Sequence, residues 1–112
     1  MNHKFRFNDK SIFFNKDSFI TFQYKIENLL VFPTSLIVLL EPDSSMDERN
    51  VFCYAFDKSF KWQIPQPASI HGSNYYSSIY ITDDELYAYS VSGVEYHLNV
   101  ETGEIIKSEL IK

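Results

Sequence analysis

Glu95 and His97 stand two residues apart in Val94-Glu95-Tyr96-His97-Leu98. On a β-strand that spacing puts both side chains on one face, the minimum arrangement for an acid and a base acting on one substrate. Such a pair also needs a nucleophile or a pocket, and no recognisable pattern supplies either, so the two read as members of an ordinary strand face. Asp83-Asp84-Glu85 offers three carboxylates in a row. A calcium loop, however, sets acidic or amide residues at alternate positions and follows them with glycine, so this triplet reads as a hairpin turn. His3, His71 and His97 are too far apart for metal-ligand spacing. Cys53 is the single cysteine and lies in Val51-Phe52-Cys53-Tyr54-Ala55-Phe56. A nucleophilic thiolate needs a nearby base and a polar setting, so Cys53 reads as a small buried apolar residue. These readings predict no catalytic residue, no bound metal and no cofactor.

What remains is a surface chemistry. From Trp62 to Ile106 there is no Lys or Arg, while Asp83, Asp84, Glu85, Glu95, Glu101 and Glu104 all fall within that stretch, together with Tyr75, Tyr76, Tyr80, Tyr87, Tyr89 and Tyr96. Negative potential steers a cationic partner, and tyrosine supplies rigid contact area. The expected partner is therefore a basic protein, with Asp83, Asp84, Glu85, Glu95, His97, Tyr75 and Tyr76 as contact residues. The net charge is −5 and the isoelectric point about 5.0. This balance argues against nucleic acid as a ligand, because phosphate binding draws on clustered Lys and Arg. Lys4, Arg6, Lys10 and Lys16 are interleaved with Asp9 and Asp17, which reads as a solvated edge.

The elements that would carry this surface are strands, because the apolar period is two almost throughout. From Ile20 to Glu27 the alternation is strict, with Ile20, Phe22, Tyr24 and Ile26 on one face, so the segment reads as one half-exposed strand. Before it, Lys4 to Asn8 and Ile12 to Phe14 form a short hairpin. Leu36-Ile37-Val38-Leu39-Leu40 is apolar on both faces and predicts a central strand covered from both sides, with a short buried helix as the alternative. Pro42 to Asn50 is polar and predicts a mobile loop. Val51 to Phe56 and Phe60 to Ile64 make a second hairpin across Asp57-Lys58-Ser59, in which Phe60, Trp62 and Ile64 alternate as a core face should. Ala68 to Ser77 reads as irregular. The last third predicts a four-stranded meander: Ser78 to Thr82, Leu86 to Val91, Val94 to Val100 and Glu104 to Ile111. A two-residue turn at Ser92-Gly93 would pair Tyr89 with Tyr96 and Tyr87 with Leu98, putting all four on one face.

Two segments resemble the repeat of quinoprotein-like β-propeller blades. Asn50 to Ile64 is similar to that family's strand, Asp-containing turn and Trp-bearing strand, and Glu85 to Ile105 to its strand, glycine turn, strand and Thr-Gly turn. A propeller closes with about four blades or more, and the chain has material for two. The resemblance implies antiparallel meander topology and carries no quinone or dehydrogenase chemistry with it.

At 112 residues, 45% of them hydrophobic and 17% aromatic, the chain can bury one core without disulfide staples. The expected fold is a single mainly β domain: an antiparallel twisted sheet or two-layer β-sandwich with a C-terminal four-stranded meander and little or no helix. Met1 to Ser11 lacks the apolar stretch of a secretory signal, and Leu29 to Leu40 is interrupted by Pro33 and too short to span a bilayer. The expectation is a cytoplasmic, non-membrane protein, monomeric or weakly dimeric. More concretely, the expectation is a protein of the physical type of a small bacterial immunity protein, which would occlude the active site of a basic nuclease toxin and would not be an enzyme. The competing expectation is a structural or accessory β-domain that holds a peptide or carbohydrate through exposed tyrosines.

Overall fold

The computed structural model describes residues 5–42, 48–67 and 74–111. His3, His71 and most of the loop expected between Pro42 and Asn50 lie outside them. Among the described residues there is no helix. Eleven strands follow one another: β1 (Arg6–Asn8), β2 (Ser11–Asn15), β3 (Ser18–Thr21), β4 (Ile26–Val31), β5 (Ser35–Leu40), β6 (Val51–Ala55), β7 (Phe60–Gln63), β8 (Tyr76–Thr82), β9 (Glu85–Ser90), β10 (Val94–Leu98) and β11 (Ile105–Leu110). They form three antiparallel meanders, β1-β2-β3, β4-β5-β6-β7 and β8-β9-β10-β11.

The stack has three layers, one more than a sandwich, and β5 explains why. All six of its residues are buried. Ile37 and Leu39 look into a core shared with Val51, Cys53, Trp62 and Ile64 of the middle sheet and Tyr76, Ile79, Leu86, Ala88, Tyr96 and Leu98 of the C-terminal sheet. Leu36, Val38 and Leu40 look the other way, toward Ile12 and Ile26 and a surround of half-buried rings that includes Phe5, Phe14, Phe22, Phe52 and Tyr54. A strand apolar on both faces is stable only where both faces are covered, and here a sheet lies on each side of it.

The segment read as one strand from Ile20 to Glu27 is two. It breaks over residues 22–25, where Phe22 N–H donates to Lys10 O, Ile26 N–H to Asp9 O (both 2.7 Å) and Lys25 O accepts from Glu41 N–H. The chain turns there from the N-terminal sheet into the middle one. Inward and outward side chains keep alternating across the corner because both strands face the same core, which is why the period hid the bend.

Side-chain ties lock the middle sheet to the C-terminal one. Asn50 is fully buried. Its Nδ2 donates to Leu40 O (3.0 Å) and Tyr76 O (2.8 Å), while its Oδ1 accepts from Tyr76 N–H (2.9 Å). Both N–H groups and the oxygen of the amide are thereby satisfied, as a buried side chain requires. Trp62 Nε1 donates to Val100 O at 2.8 Å, and its ring covers Gly103, where a Cβ would sit 2.5 Å from the indole. Gly103 also has φ +78, so both backbone and space demand glycine there.

Candidate partner-binding face

The site is built by the turns of the C-terminal meander. Thr82 pairs with Glu85 across Asp83 and Asp84, whose φ values are +53 and +63. Two consecutive left-handed residues make the tight turn whose twist suits a hairpin, and aspartate tolerates that conformation better than most side chains. The turn fixes the register of β8 on β9, so Tyr80 lies opposite Tyr87.

The next turn corrects the pairing expected from sequence. Glu95 pairs with Tyr89, Tyr96 with Ala88, His97 with Tyr87 and Leu98 with Leu86. The loop holds three residues, Val91, Ser92 and Gly93, with Gly93 N–H on Ser90 O (3.0 Å) and Gly93 in the left-handed region at φ +95. A three-residue loop ending in a left-handed glycine shifts the register by one relative to a two-residue turn, and one residue exchanges the faces. Tyr96 and Leu98 therefore go inward with Ala88 and Leu86, while Glu95 and His97 go outward with Tyr89 and Tyr87.

On the outer face of the sheet, Tyr80, Tyr87, His97 and Lys107 come into one row across β8 to β11. The Tyr80 and Tyr87 rings are stacked at 5.7 Å with 7° between planes, and Tyr87 and His97 at 4.8 Å with 17°. Beside this row runs a second, Ser78, Tyr89, Glu95 and Glu109. Carboxylates clamp the rings from both sides. Glu85 Oε1 lies 2.8 Å from His97 Nε2, and Glu95 accepts the Tyr80 hydroxyl hydrogen bond. Partial burial, reinforced by the bond to Glu95 and its charge, raises the Tyr80 phenol well above the usual tyrosine range, so it stays a donor. Tyr87, Glu95, His97, Lys107, Ser108 and Glu109 line a shallow hollow of about 110 Å³.

Of the residues expected in the site, Glu85, Glu95 and His97 are brought together. Asp83 and Asp84 project from the hairpin tip beside them, exposed. Tyr75 is half-buried at the other end of the sheet, near Glu27, Glu41 and Pro42 around a cleft of about 280 Å³. Tyr76 has to be withdrawn. It is fully buried, its hydroxyl donates to Pro65 O at 2.9 Å, and it packs edge-on against Tyr96. A shift of register between Tyr76 and Ser78 reverses the parity of β8, so that Tyr76 and Ile79, three apart, both point inward. Tyr80, Tyr87 and Tyr89 are the site residues that sequence reasoning left out of its contact set. The signal was present, because a two-residue turn centred on Asp83-Asp84 places Tyr80 opposite Tyr87. Cys53 is buried, its thiol pushed up to about 11 chiefly by that burial, so it presents no accessible thiolate. Among the described residues no group of three or more His, Cys, Asp or Glu is placed to hold a metal ion, and no helix is long and apolar enough to cross a membrane.

One family model matches residues 3–110, nearly the whole chain. The chain belongs to that family, the domain of unknown function DUF7957. No curated protein and no solved structure matches it. In this DUF7957 member the aromatic row and its carboxylates come from four consecutive strands, so the face is a property of the meander as a whole.

Proposed function

We propose that the domain is a protein-binding module that takes a basic segment of another protein on the outer face of β8 to β11, and more concretely that it neutralises a toxin-like partner by covering its cationic active site. The observation that carries this reading is the clamped row of Tyr80, Tyr87 and His97 flanked by Glu85, Glu95 and Glu109. Rings stacked on one another cover each other's faces and turn edges and polar atoms outward. A sugar platform needs the reverse, a ring face lying bare, so the stacked row supports the protein reading over the carbohydrate one. Edges bearing phenol oxygens, set among carboxylates, suit guanidinium and ammonium groups. The stacking also restricts these side chains before a partner arrives, which lowers the entropy lost on binding.

The mechanism would be electrostatic steering followed by steric occlusion. The test is a titration of the isotopically labelled domain with an arginine-rich peptide and with a glutamate-rich peptide of equal length. Shifts of the Tyr87, Glu95 and His97 amides with the first peptide alone, weakening as salt rises, are expected. Glu85→Lys with Glu95→Lys should reduce the affinity at least tenfold. Equal response to both peptides, or shifts confined to another face, would remove the reading. For the toxin step, co-expression with a basic toxin encoded beside this gene should restore growth, and should fail with the double reversal.

A further inference from the structure

The two edges of the C-terminal sheet are treated in opposite ways. On the β8 edge the backbone is occupied: Asn50 holds both polar groups of Tyr76, and Asn28 Nδ2 reaches Ile79 O at 3.5 Å. The β11 edge has no such cover among the described residues. All six of its residues are exposed, and Ile105, Ile106, Leu110 and the following Ile111 are large hydrophobics standing in solvent. A bare apolar edge is a template for another strand, and soluble proteins ordinarily blunt it.

We infer that β11 is the contact strand of a symmetric dimer, pairing edge to edge with β11 of a second copy of this chain. The register follows from the backbone and from the charges. Ile111 N–H donates to Gly93 O at 2.7 Å, and Glu109 and Lys107 lie opposite Glu95 and His97 in the same ladder. With a period of two, Ile111, Glu109 and Lys107 send their backbone groups to β10, and Ser108 and Leu110 send theirs to the open side. The twofold axis of an antiparallel pair of identical strands runs between one residue and its own copy. Lys107 or Glu109 there would meet its own charge, and Ser108, between them, is nearest the middle of the stretch from Ile105 to Ile111. With the axis at Ser108, Lys107 lies opposite the second copy's Glu109, Ile106 opposite its Leu110, and Ile105 opposite its Ile111. Both charges find a complement in this register, and the exposed hydrophobics at the two ends of the strand come side by side. The alternative axis at Leu110 sets Glu109 against the second copy's Ile111 and leaves Lys107 without an acid. The bulge in the β10–β11 ladder lies between His97 and Leu98, opposite the start of β11, and leaves Lys107 to Leu110 regular.

An axis perpendicular to the sheet puts the outer faces of both copies on the same side. The dimer would thus join two aromatic rows into one surface and occupy Lys107, the cation in each row, with an intermolecular partner. The dimer itself stands whether or not that face binds a basic protein.

The test is sedimentation of the full chain from micromolar to millimolar concentration, with three variants. Wild type should shift from monomer to dimer within that range. Lys107→Glu should raise the dissociation constant at least tenfold by facing acid with acid, and Lys107→Glu combined with Glu109→Lys should restore it. In parallel, Ser108→Cys should form a disulfide-linked dimer under mild oxidation, since directly opposed hydrogen-bonded residues have Cα atoms about 5.5 Å apart. Ser92→Cys, exposed on the β9–β10 loop and not on the contact strand itself, should not, and the buried Cys53 should stay out of the reaction. Circular dichroism checks that each variant keeps its strands. A wild type that remains monomeric at millimolar concentration, a charge swap that restores nothing, or equal cross-linking at Ser108→Cys and Ser92→Cys would each overturn the inference.

Discussion

On the C-terminal side of β5, Ile37 and Leu39 enter a core in which Val51, Cys53, Trp62, Ile64, Tyr76, Leu86, Tyr96 and Leu98 are all buried. On its N-terminal side, Leu36, Val38 and Leu40 meet, among the described residues, two other buried hydrophobics, Ile12 and Ile26, and the rest of that core is a half-buried fringe made mostly of Phe and Tyr rings. Tertiary ties differ in the same way. Asn50, Trp62 and Lys61, the last bonded to Glu101 at 3.0 Å, bind the middle sheet to the C-terminal one. The N-terminal sheet is joined to the middle one mainly by ring packing and by the backbone bonds around residues 22–26. One strand therefore serves a closed, polar-braced core and an open, adaptable one. The face proposed to bind sits on the closed side, where a site needs its positions fixed.

Cavity-making substitutions should break the symmetry of β5 most visibly. Leu39→Ala removes a side chain from the closed core, whose neighbours are held by cross-sheet bonds, and should cost about 4 kcal/mol. Leu36→Ala opens a hole beside half-buried rings that can move into it, and should cost about 2 kcal/mol. Urea unfolding of the two variants measures both, and equal costs would show the two cores to be alike. Gly103→Ala comes next, at about 3 kcal/mol. It forces a Cβ into the Trp62 ring and a side chain into the left-handed region. Amide exchange reports the same contrast without a substitution: β1 to β3 should open at lower free energy than β5, β6 and β9.

A pH series sharpens the comparison. Burial raises the Cys53 thiol from 9.0 to about 11, and the buried Tyr76 hydroxyl also rises, again chiefly through burial. Groups whose folded pKa is raised contribute stability in full below their unfolded pKa and lose it as pH climbs through the folded value. The closed core should therefore weaken above pH 9 and fail near or beyond pH 11. Glu101 behaves oppositely. Its carboxyl lies below the ordinary 4.5 because Lys61 hydrogen-bonds it and sits beside it as a positive charge, so its contribution is present above that value and fades as pH falls through the lowered one. Melting temperature against pH should decline at both ends. Cys53→Ala should flatten part of the alkaline limb, and an unchanged limb would assign it to the tyrosines alone.

The sequence announced the layers better than the faces. Leu36 to Leu40, apolar on both sides, read as a strand covered twice with a short buried helix as the alternative, and the strand is what forms. Asp57-Lys58-Ser59 marked its hairpin, and Asp83-Asp84-Glu85 marked the next one a residue too long, since Glu85 already pairs with Thr82. The errors share one physical origin, a single inserted residue. Gly93 ends a three-residue loop where a two-residue turn was expected, which moved Glu95 and His97 to the face of Tyr87 and Tyr89. The shift between Tyr76 and Ser78 sent Tyr76 into the core. Alternation says which residues of a strand share a face, and it says nothing about how that face matches its neighbour's. Loop conformation and the burial of one face decide that together, and Gly93 carries the same letter in either turn. The bend at residues 22–25 escaped for a related reason, since a corner between two sheets facing one core leaves the period intact.

The smallest effect tests that explanation at a second loop. Lys58 N–H donates to Ala55 O at 3.0 Å with Lys58 at φ +77, and Gly93 N–H donates to Ser90 O at 3.0 Å with φ +95. The β6–β7 and β9–β10 hairpins thus use the same backbone turn, one closed by a lysine in a conformation that disfavours side chains and the other by glycine. Lys58 is exposed, so its side chain has little packing to lose. Lys58→Gly should relieve the left-handed strain at the expense of a more flexible unfolded chain, for a net stabilisation of about 0.5 kcal/mol. The reverse exchange, Gly93→Lys, should destabilise by about 1 kcal/mol for the same reason. It should also tempt the loop toward a two-residue turn, the change that would exchange the faces of β10. Because that slip would bury Glu95 and His97, the register should hold, and cross-strand contacts between His97 and Tyr87 should persist in the variant's spectra. Their loss would show that the turn, and not the burial of Tyr96 and Leu98, holds the aromatic face in place.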